Sequence, residues 1–225
     1  MSARQRRLQQ WLVGGTVAFT AVVGGVIAYA SVARGNPSPD PRTLTAPYPQ
    51  EGRVGAANQV LVFSDLKCTH CARLHEELKG ALADAVNRGN VTVAYLASPI
   101  LGPDSTGGAA GAQCAYVLGG QRAFGTYVDE IYREQKQHRM SERWLTPEII
   151  NAAGSAAGLA VPAFERCVTS DRTRKAVREQ AQLFPQAAVV GTPGVFVNGR
   201  RVQSTAQAIL EAAAQSDVQR GLSGH

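Results

Sequence analysis

Residues 59–71 read QVLVFSDLKCTHC, a short apolar run followed by two cysteines. The run at residues 59–63 is β-branched and aromatic, which favours a buried strand. Beyond the cysteines, apolar residues recur at helical spacing and predict a helix over residues 69–86. Residues 90–96 predict a second strand. Strand, helix and strand in this order predict a right-handed βαβ unit, with both cysteines where the helix begins.

The second half of the chain is mainly helical in its pattern. Residues 105–185 contain no strand pattern, which predicts an all-helical insert. Downstream, Asn198-Gly199 favours a two-residue turn between two short strands. A last helix is expected over residues 204–215, with Ser204 as its N-cap. The helices of the insert are expected at residues 106–119, 121–136, 146–157 and 162–183.

The N-terminus has the pattern of a membrane segment. Residues 1–10 contain three arginines and no acid, and residues 11–33 carry no charge. An apolar helix of about 20 residues spans a bilayer, and its basic flank stays cytoplasmic. The sequence therefore predicts a cytoplasmic tip, a transmembrane anchor and an exported domain. The segment Ala28-Tyr29-Ala30 also fits a cleavage site, so a removed signal peptide remains the alternative.

A proline-rich segment separates this run from the folded part of the chain. Residues 34–50 hold five of the 11 prolines, which predicts an extended, solvated stalk. The folded domain is expected over residues 51–217, and residues 218–225 are expected to form a flexible tail.

Composition and charge exclude several classes of protein. Hydrophobic residues make up 44% of the 225 residues and charged residues 18%, which argues against disorder, collagen and coiled coil. The formal net charge is +6, but residues 1–34 hold four arginines and no acid. The remaining 19 basic and 17 acidic residues give no basic surface typical of nucleic-acid binding.

The pair Cys68-Thr69-His70-Cys71 has three common interpretations. A zinc site needs about four ligands, and the other two cysteines lie far apart in the sequence. Covalent haem attachment needs histidine after the second cysteine, where this chain has Ala72. A redox dithiol needs the pair at the start of a helix after a strand, and that is the predicted position.

That position should stabilise a thiolate at Cys68. Unpaired backbone N–H groups and the macrodipole at a helix N-terminus favour negative charge. A protonated His70 would add to this effect, whereas Lys67 is expected to be solvated and to contribute little. Cys71, one turn into the helix, is expected to be buried and to act as the resolving thiol.

Two further polar residues flank the pair. His75 is predicted to be a helix-surface residue. Asp65 is predicted to be a loop or capping carboxylate.

Two motifs together resemble a known family. Residues 63–71, FSDLKCTHC, and residues 191–199, GTPGVFVNG, are similar to those of the DsbA-like thiol:disulfide oxidoreductases. The resemblance covers about residues 45–217 and implies a thioredoxin-like α/β fold with an inserted all-helical subdomain. It also implies that Pro193 is cis beside the cysteines and that the Thr192 backbone pairs with substrate polypeptide.

The chain departs from this family at two positions. Proline is common after the first cysteine, where this chain has Thr69, a difference that bears on the pKa of Cys68 and on the redox potential. Thioredoxin-like proteins often have a buried acid six residues before the first cysteine, and here that residue is Val62.

Cys114 and Cys167 remain after the active pair is assigned. Two free buried thiols are one interpretation, and a structural disulfide is the other. An oxidising compartment favours the disulfide, which would close a loop of about 50 residues.

The leading functional hypothesis is a single-pass, membrane-tethered, extracytoplasmic dithiol oxidase acting on reduced exported proteins. The resemblance implies that a quinone-linked membrane protein reoxidises it, and the chain is expected to be a monomer without cofactor or metal. A tethered reductase or isomerase is the alternative within the same fold. A non-enzymatic metal-binding module, using the cysteines and His70 as ligands, is a third hypothesis.

Overall fold

The computed structural model describes residues 39–140 and 142–223. The strands, in chain order, are β1 (Gln50–Glu51), β2 (Asn58–Ser64), β3 (Val91–Ala97), β4 (Gly194–Val197) and β5 (Arg200–Val202). The helices are α1 (Thr69–Ala81), α2 (Ala83–Asn87), α3 (Pro103–Gln135), α4 (Pro147–Ala156), α5 (Val161–Val168), α6 (Asp171–Gln186) and α7 (Ala206–Ser223).

The membrane prediction falls outside this part of the chain. The uncharged run at residues 11–33 is not among the described residues. Within residues 39–140 and 142–223, no helix is both long enough and apolar enough to cross a bilayer.

The five strands form one mixed sheet in the order β1-β3-β2-β4-β5. Strands β2 and β3 are parallel, with Val62 opposite Tyr95, and α1 connects them. The βαβ unit predicted from residues 59–96 is therefore present. Strand β4 lies antiparallel to β2 on its other side, so the hairpin of β4 and β5 completes the sheet.

Helices cover both faces of the sheet. On one face, Leu78 of α1 and Ile209 of α7 pack against Val62 of β2. On the other face, Leu183 of α6 packs with Phe63 of β2. Strand β2 is buried on both sides, which is why its sequence is a continuous apolar run instead of an alternating one.

The four helices α3 to α6 lie between β3 and β4 in the chain, where the helical insert was predicted. Gly120 has φ 70° and ψ −162°, so the helical geometry of α3 is interrupted where the two predicted helices meet. The result is a thioredoxin-like α/β fold with an added helical segment.

The hairpin turn has the predicted geometry. Asn198 (φ 48°) and Gly199 (φ 81°) both adopt positive φ, as a type I′ turn requires. The Asn198 side chain also accepts a hydrogen bond of 2.9 Å from the backbone N–H of Gln59. This contact ties the hairpin to the first residues of β2.

Four boundary predictions were wrong. The helix predicted over residues 162–183 is two helices, α5 and α6. The first helix ends at Ala81 and is followed by α2, instead of continuing to residue 86. The predicted tail is helical as far as Ser223, because α7 runs well beyond residue 215. The last helix begins at Ala206, and Thr205, not Ser204, accepts the hydrogen bond from its first turn.

The predicted stalk is packed onto the domain where it is described. The carbonyl of Pro47 accepts a hydrogen bond from Gln113, and the carbonyl of Pro49 accepts one from the Tyr95 backbone. Proline lacks the N–H group but keeps its carbonyl acceptor, so a proline-rich segment can still dock on a sheet edge. The short strand β1 follows directly.

Candidate active site

The cysteine pair lies where β2 gives way to α1. Cys68 is the N-cap residue of α1, and its carbonyl accepts hydrogen bonds from the backbone N–H groups of Cys71 (3.0 Å) and Ala72 (3.1 Å). Cys68 is 4% exposed and Cys71 is 3% exposed. Both are free thiols in this structure. The sequence therefore brings one sulfur to the helix end and the other one turn inside.

A loop from the far end of the chain completes the site. The Thr192–Pro193 peptide bond is cis, as the family resemblance implies. The Cys68 thiol donates a hydrogen bond of 3.2 Å to the carbonyl oxygen of Thr192. The hydroxyl of Ser204 donates to the carbonyl of Pro193 at 2.8 Å, and this hydrogen bond fixes the loop to the segment after β5.

The two thiols have opposite electrostatic surroundings. A hydrogen bond from Cys71, aided by the Thr192 side chain and by the backbone N–H groups of Cys71 and His70, lowers the pKa of Cys68 to about 5 against the effect of burial. Burial raises the pKa of Cys71 well above its usual range, and the neighbouring Cys68 sulfur raises it further. The first thiol is thus favoured as a thiolate and the second as a neutral thiol.

The residues between the cysteines are Thr69 and His70, and His70 lowers the pKa of Cys68 through its backbone. Thr69 is exposed, and so is His70, whose Nδ1 lies 3.1 Å from a guanidinium nitrogen of Arg73. The favourable contribution of His70 to the Cys68 thiolate is its backbone N–H. The sequence predicted that helix N–H groups contribute most to the low pKa of Cys68 and that the His70 side chain comes second. That order is corrected, because the Cys71 thiol lies directly against the Cys68 sulfur and makes the largest contribution.

We expect Cys68 to titrate near pH 5 in the reduced protein, because these hydrogen bonds favour its charged form. Ultraviolet thiolate absorbance measured against pH gives this value directly. A Cys68→Ser variant supplies the blank, since Cys71 stays neutral over the same range. Titration of Cys68 at its usual value of about 8.5 would contradict the arrangement of donors described above.

Asp65 anchors the loop that precedes Cys68. Its buried carboxylate accepts hydrogen bonds from the backbone N–H groups of Lys67, Ile100 and Leu101, at 2.8–2.9 Å. It also accepts from the hydroxyl of Ser105 at 3.0 Å. The loop or capping role predicted for Asp65 agrees with these contacts, which fix the cysteine loop to the segment after β3.

Lys67 is buried, contrary to the sequence-based expectation. The residue is 1% exposed, and its Nζ donates to the carbonyl of Leu101 (3.1 Å) and to Asp104 Oδ1 (2.9 Å). A buried ammonium needs such partners, because an unpaired charge in the interior is costly. In the sequence, the only local indication that Lys67 belongs to the site is its position directly before Cys68, because its partner Asp104 lies 37 residues away.

His75 is also buried, so its prediction as a helix-surface residue was wrong. It is 5% exposed, and its Nε2 lies 2.7 Å from Asp129 Oδ1 on α3. Its spacing could have indicated this position. His75 follows Cys71 by four residues and lies on the same face of α1 as Leu74 and Leu78, which are core residues.

Cys114 and Cys167 form a disulfide in the structure. Their Cα atoms are 5.9 Å apart, and the bond joins α3 to α5. Cys114 is fully buried. The bond lies within the helical segment and leaves Cys68 and Cys71 as the only free thiols of the described residues.

The site also bears on the metal hypothesis. Within residues 39–140 and 142–223, there is no cluster of three or more histidine, cysteine or acidic side chains arranged to hold a metal ion.

Comparison with known proteins identifies the family. A family model described as Thioredoxin matches residues 49–215. The chain belongs to the thioredoxin family. Within it, this chain is a DsbA-like protein, a thiol:disulfide oxidoreductase. The probable disulfide bond formation protein D of Bacillus anthracis is 28% identical over 151 residues, covering 66% of this chain and 68% of that protein.

Two solved structures share the fold of this DsbA-like protein. Oxidised BdbD from Bacillus subtilis superposes with a TM-score of 0.71 at 16% identity, covering 80% of this chain and 96% of that one. MdbA, a thiol-disulfide oxidoreductase from Corynebacterium diphtheriae, superposes with a TM-score of 0.60 at 20% identity, covering 72% and 85%.

Proposed function

We propose that this DsbA-like protein is a membrane-tethered, extracytoplasmic dithiol oxidase that introduces disulfides into exported proteins through Cys68 and Cys71. The observation that carries the proposal is the set of hydrogen bonds that lowers the pKa of Cys68 to about 5. A stabilised thiolate stabilises the reduced protein, so the Cys68–Cys71 disulfide becomes a stronger oxidant.

The reaction transfers two electrons from a substrate dithiol to the disulfide. A substrate thiolate attacks the Sγ of Cys68, and the Cys68–Cys71 bond breaks with its electron pair on Cys71. A second substrate thiolate then attacks the substrate sulfur of the mixed disulfide. Cys68 leaves as a thiolate, the substrate is oxidised and the enzyme is reduced.

The cis-proline loop is proposed to hold the substrate during this exchange. The Thr192 carbonyl lies 3.2 Å from the Cys68 sulfur, so the backbone of Thr192 runs beside the atom that the substrate thiolate attacks. An extended substrate strand could therefore pair with the backbone of Thr192 while its cysteine is bonded to Cys68.

The location and partners of the protein form part of the proposal. Residues 1–10 would remain cytoplasmic, and residues 11–33 would anchor the domain on the outer side of the membrane. Reduced exported proteins emerge on that side. A quinone-linked membrane protein would restore the disulfide, and the chain would act as a monomer. A C-terminal reporter enzyme that is active only outside the cytoplasm tests this topology.

A tethered reductase is the second candidate, because the same dithiol can run in either direction. An isomerase is the third. The low pKa of Cys68 favours the oxidase, since a reductase needs a less stable reduced form. A metal-binding module would need further ligands besides the two cysteines and His70.

We expect the oxidised full-length protein to form disulfides in a reduced, unfolded protein that contains two cysteines. The substrate gains a disulfide as the enzyme loses one, and mass spectrometry after thiol alkylation follows both. Cys68→Ser should show no transfer, because the attacked sulfur is gone. Equal disulfide formation with the parent protein and with Cys68→Ser would contradict the proposed function.

A further inference from the structure

A buried histidine shares an internal cavity with the resolving thiol. A cavity of about 50 Å³ lies beneath the cysteine pair, and Cys71, His75, Ser64 and Tyr132 are among the residues that line it. Cys71 and His75 lie one helical turn apart on the same face of α1. A cavity of this size with polar groups in its wall has room for water, which can carry a proton between the two side chains.

The histidine is oriented by a carboxylate that reaches solvent. Asp129 Oδ1 lies 2.7 Å from Nε2 of His75, and its other oxygen accepts from Lys79 at 2.7 Å. A carboxylate acts as the acceptor, so Nε2 carries the hydrogen and the lone pair lies on Nδ1. Asp129 and Lys79 line a separate surface cavity of about 510 Å³. His75 thus lies between the buried thiol and an open face.

The other titratable groups near Cys71 are poorly suited to accept its proton. Both oxygens of Asp65 are occupied by the backbone and hydroxyl donors described above. Burial raises the pKa of Tyr132 and of Tyr95 well above the usual range, so neither forms a phenolate near neutral pH. Glu51 accepts from Tyr95 and lines the surface cavity, not the inner one.

Within the described residues, the hydrogen bonds of His75 involve only Nε2. Its Nδ1 lone pair is therefore available. Lys79, Glu51 and Arg122 are the other charged groups that line the surface cavity beside Asp129, and they lie on α1, β1 and α3.

Cys71 needs such a partner. Its pKa is raised by burial, yet it must lose a proton to attack and gain one after leaving. Val62 also lines the inner cavity, and its apolar side chain offers no group that could take the proton.

We propose that His75, oriented by Asp129, exchanges the proton of Cys71 through the shared cavity. This inference rests on the proposed dithiol exchange. During resolution, the S–H bond of Cys71 breaks and the proton passes to His75. The Cys71 sulfur then forms a bond to the Sγ of Cys68. The bond between Cys68 and the partner sulfur breaks, and the partner leaves as a thiolate, so the protein dithiol is oxidised and the partner disulfide is reduced.

Oxidised glutathione separates the two chemical steps. In the first, the Cys68 thiolate attacks glutathione disulfide and forms a mixed disulfide, at a rate proportional to glutathione concentration. In the second, Cys71 displaces the bound glutathione, at a rate independent of its concentration. Acid quenching and mass spectrometry of the reduced full-length protein measure both.

His75→Asn should slow only the second step. General acid–base assistance typically contributes about 10²-fold to a rate. The second step should therefore slow by about that factor, so that the mixed disulfide accumulates, while the rate of the first step is unchanged. The pH profile of the second step should change in this variant, while that of the first step should not. His138→Asn is the matched control, because His138 pairs with Glu134 and is not among the residues lining the inner cavity.

Asp129→Asn provides a second variant that keeps the imidazole. Without the carboxylate, Nε2 of His75 loses the acceptor that orients the ring, so the second step should slow while the first step is unchanged. Equal second-step rates and pH profiles in the parent, His75→Asn and Asp129→Asn proteins would overturn the proposed role of His75 and would leave the proposed dithiol exchange standing. If the parent protein forms no mixed disulfide at all, the proposed dithiol exchange fails with it.

Discussion

Replacing Cys71 with serine should leave disulfide-containing proteins attached to Cys68 as stable mixed disulfides, because the Cys68 thiolate bonds to one sulfur of the protein disulfide and the other sulfur leaves as a thiolate. The Cys68 thiolate remains able to attack a disulfide, because the Thr192 loop and the backbone donors at the helix end are intact and a serine hydroxyl can donate in place of the Cys71 thiol. Serine is no nucleophile towards sulfur under these conditions, so the intramolecular resolving step is lost. Intramolecular attack has a large advantage over attack by a second molecule, so the adduct should persist at least about 10²-fold longer.

Non-reducing gels and peptide mapping of the full-length variant measure this adduct. The linked peptide should contain Cys68, since Cys114 and Cys167 are joined to each other. The double variant Cys68→Ser, Cys71→Ser is the control and should carry no substrate. A Cys71→Ser protein that forms no adduct, or one that links substrate elsewhere, would remove Cys68 from the role of attacking thiol.

The second large expected effect is on stability, and it comes from the disulfide of the helical segment. Cys114 and Cys167 are separated by 53 residues, and closing a loop of that length restricts the unfolded chain. The chain-entropy model gives about 4 kcal/mol for such a loop. Replacing both residues with serine should therefore lower the free energy of unfolding by about 4 kcal/mol.

Denaturant unfolding of the oxidised parent and the double-serine variant measures the difference. The parent with Cys114 and Cys167 selectively reduced and alkylated is a poorer comparison, because alkyl groups would not fit at the fully buried Cys114. The variant Cys68→Ser, Cys71→Ser provides the matched control, since the Cys68–Cys71 bond that it removes closes only a four-residue segment. A loss below about 1 kcal/mol on removing the 114–167 bond would contradict the expected constraint.

Local patterns predicted the elements around the site well. The apolar run of β2, the helical spacing after Cys71 and the Asn198-Gly199 turn each specify a conformation within a few residues. Such signals depend on φ/ψ preference and burial of one segment at a time. They were sufficient to place the cysteine pair at the start of α1.

The polar network beneath the cysteines could not be predicted in the same way. Lys67 and His75 look solvated in the sequence because charged and imidazole side chains usually are. Their partners, Asp104 and Asp129, lie 37 and 54 residues away, so no local pattern joins them. Burial of these residues is set by the packing of α3 against the strand–helix junction.

The substrate-facing loop was a different case. Thr192 lies 124 residues from Cys68, and spacing alone gives no reason to place its carbonyl beside the sulfur. The resemblance of residues 191–199 to a known family supplied that placement. The length of α7 and the docking of the proline-rich segment were missed because both depend on surfaces formed only when the sheet is complete.

The equilibrium between the full-length protein and glutathione tests the proposed oxidase most directly. Mass spectrometry after rapid thiol alkylation gives the fraction of Cys68–Cys71 disulfide at each ratio of reduced to oxidised glutathione. A Cys68 thiolate with a pKa of about 5 stabilises the reduced protein. The potential should therefore lie well above the value of about −270 mV found for thioredoxin. A potential at or below that value would contradict an oxidase and favour a reductase.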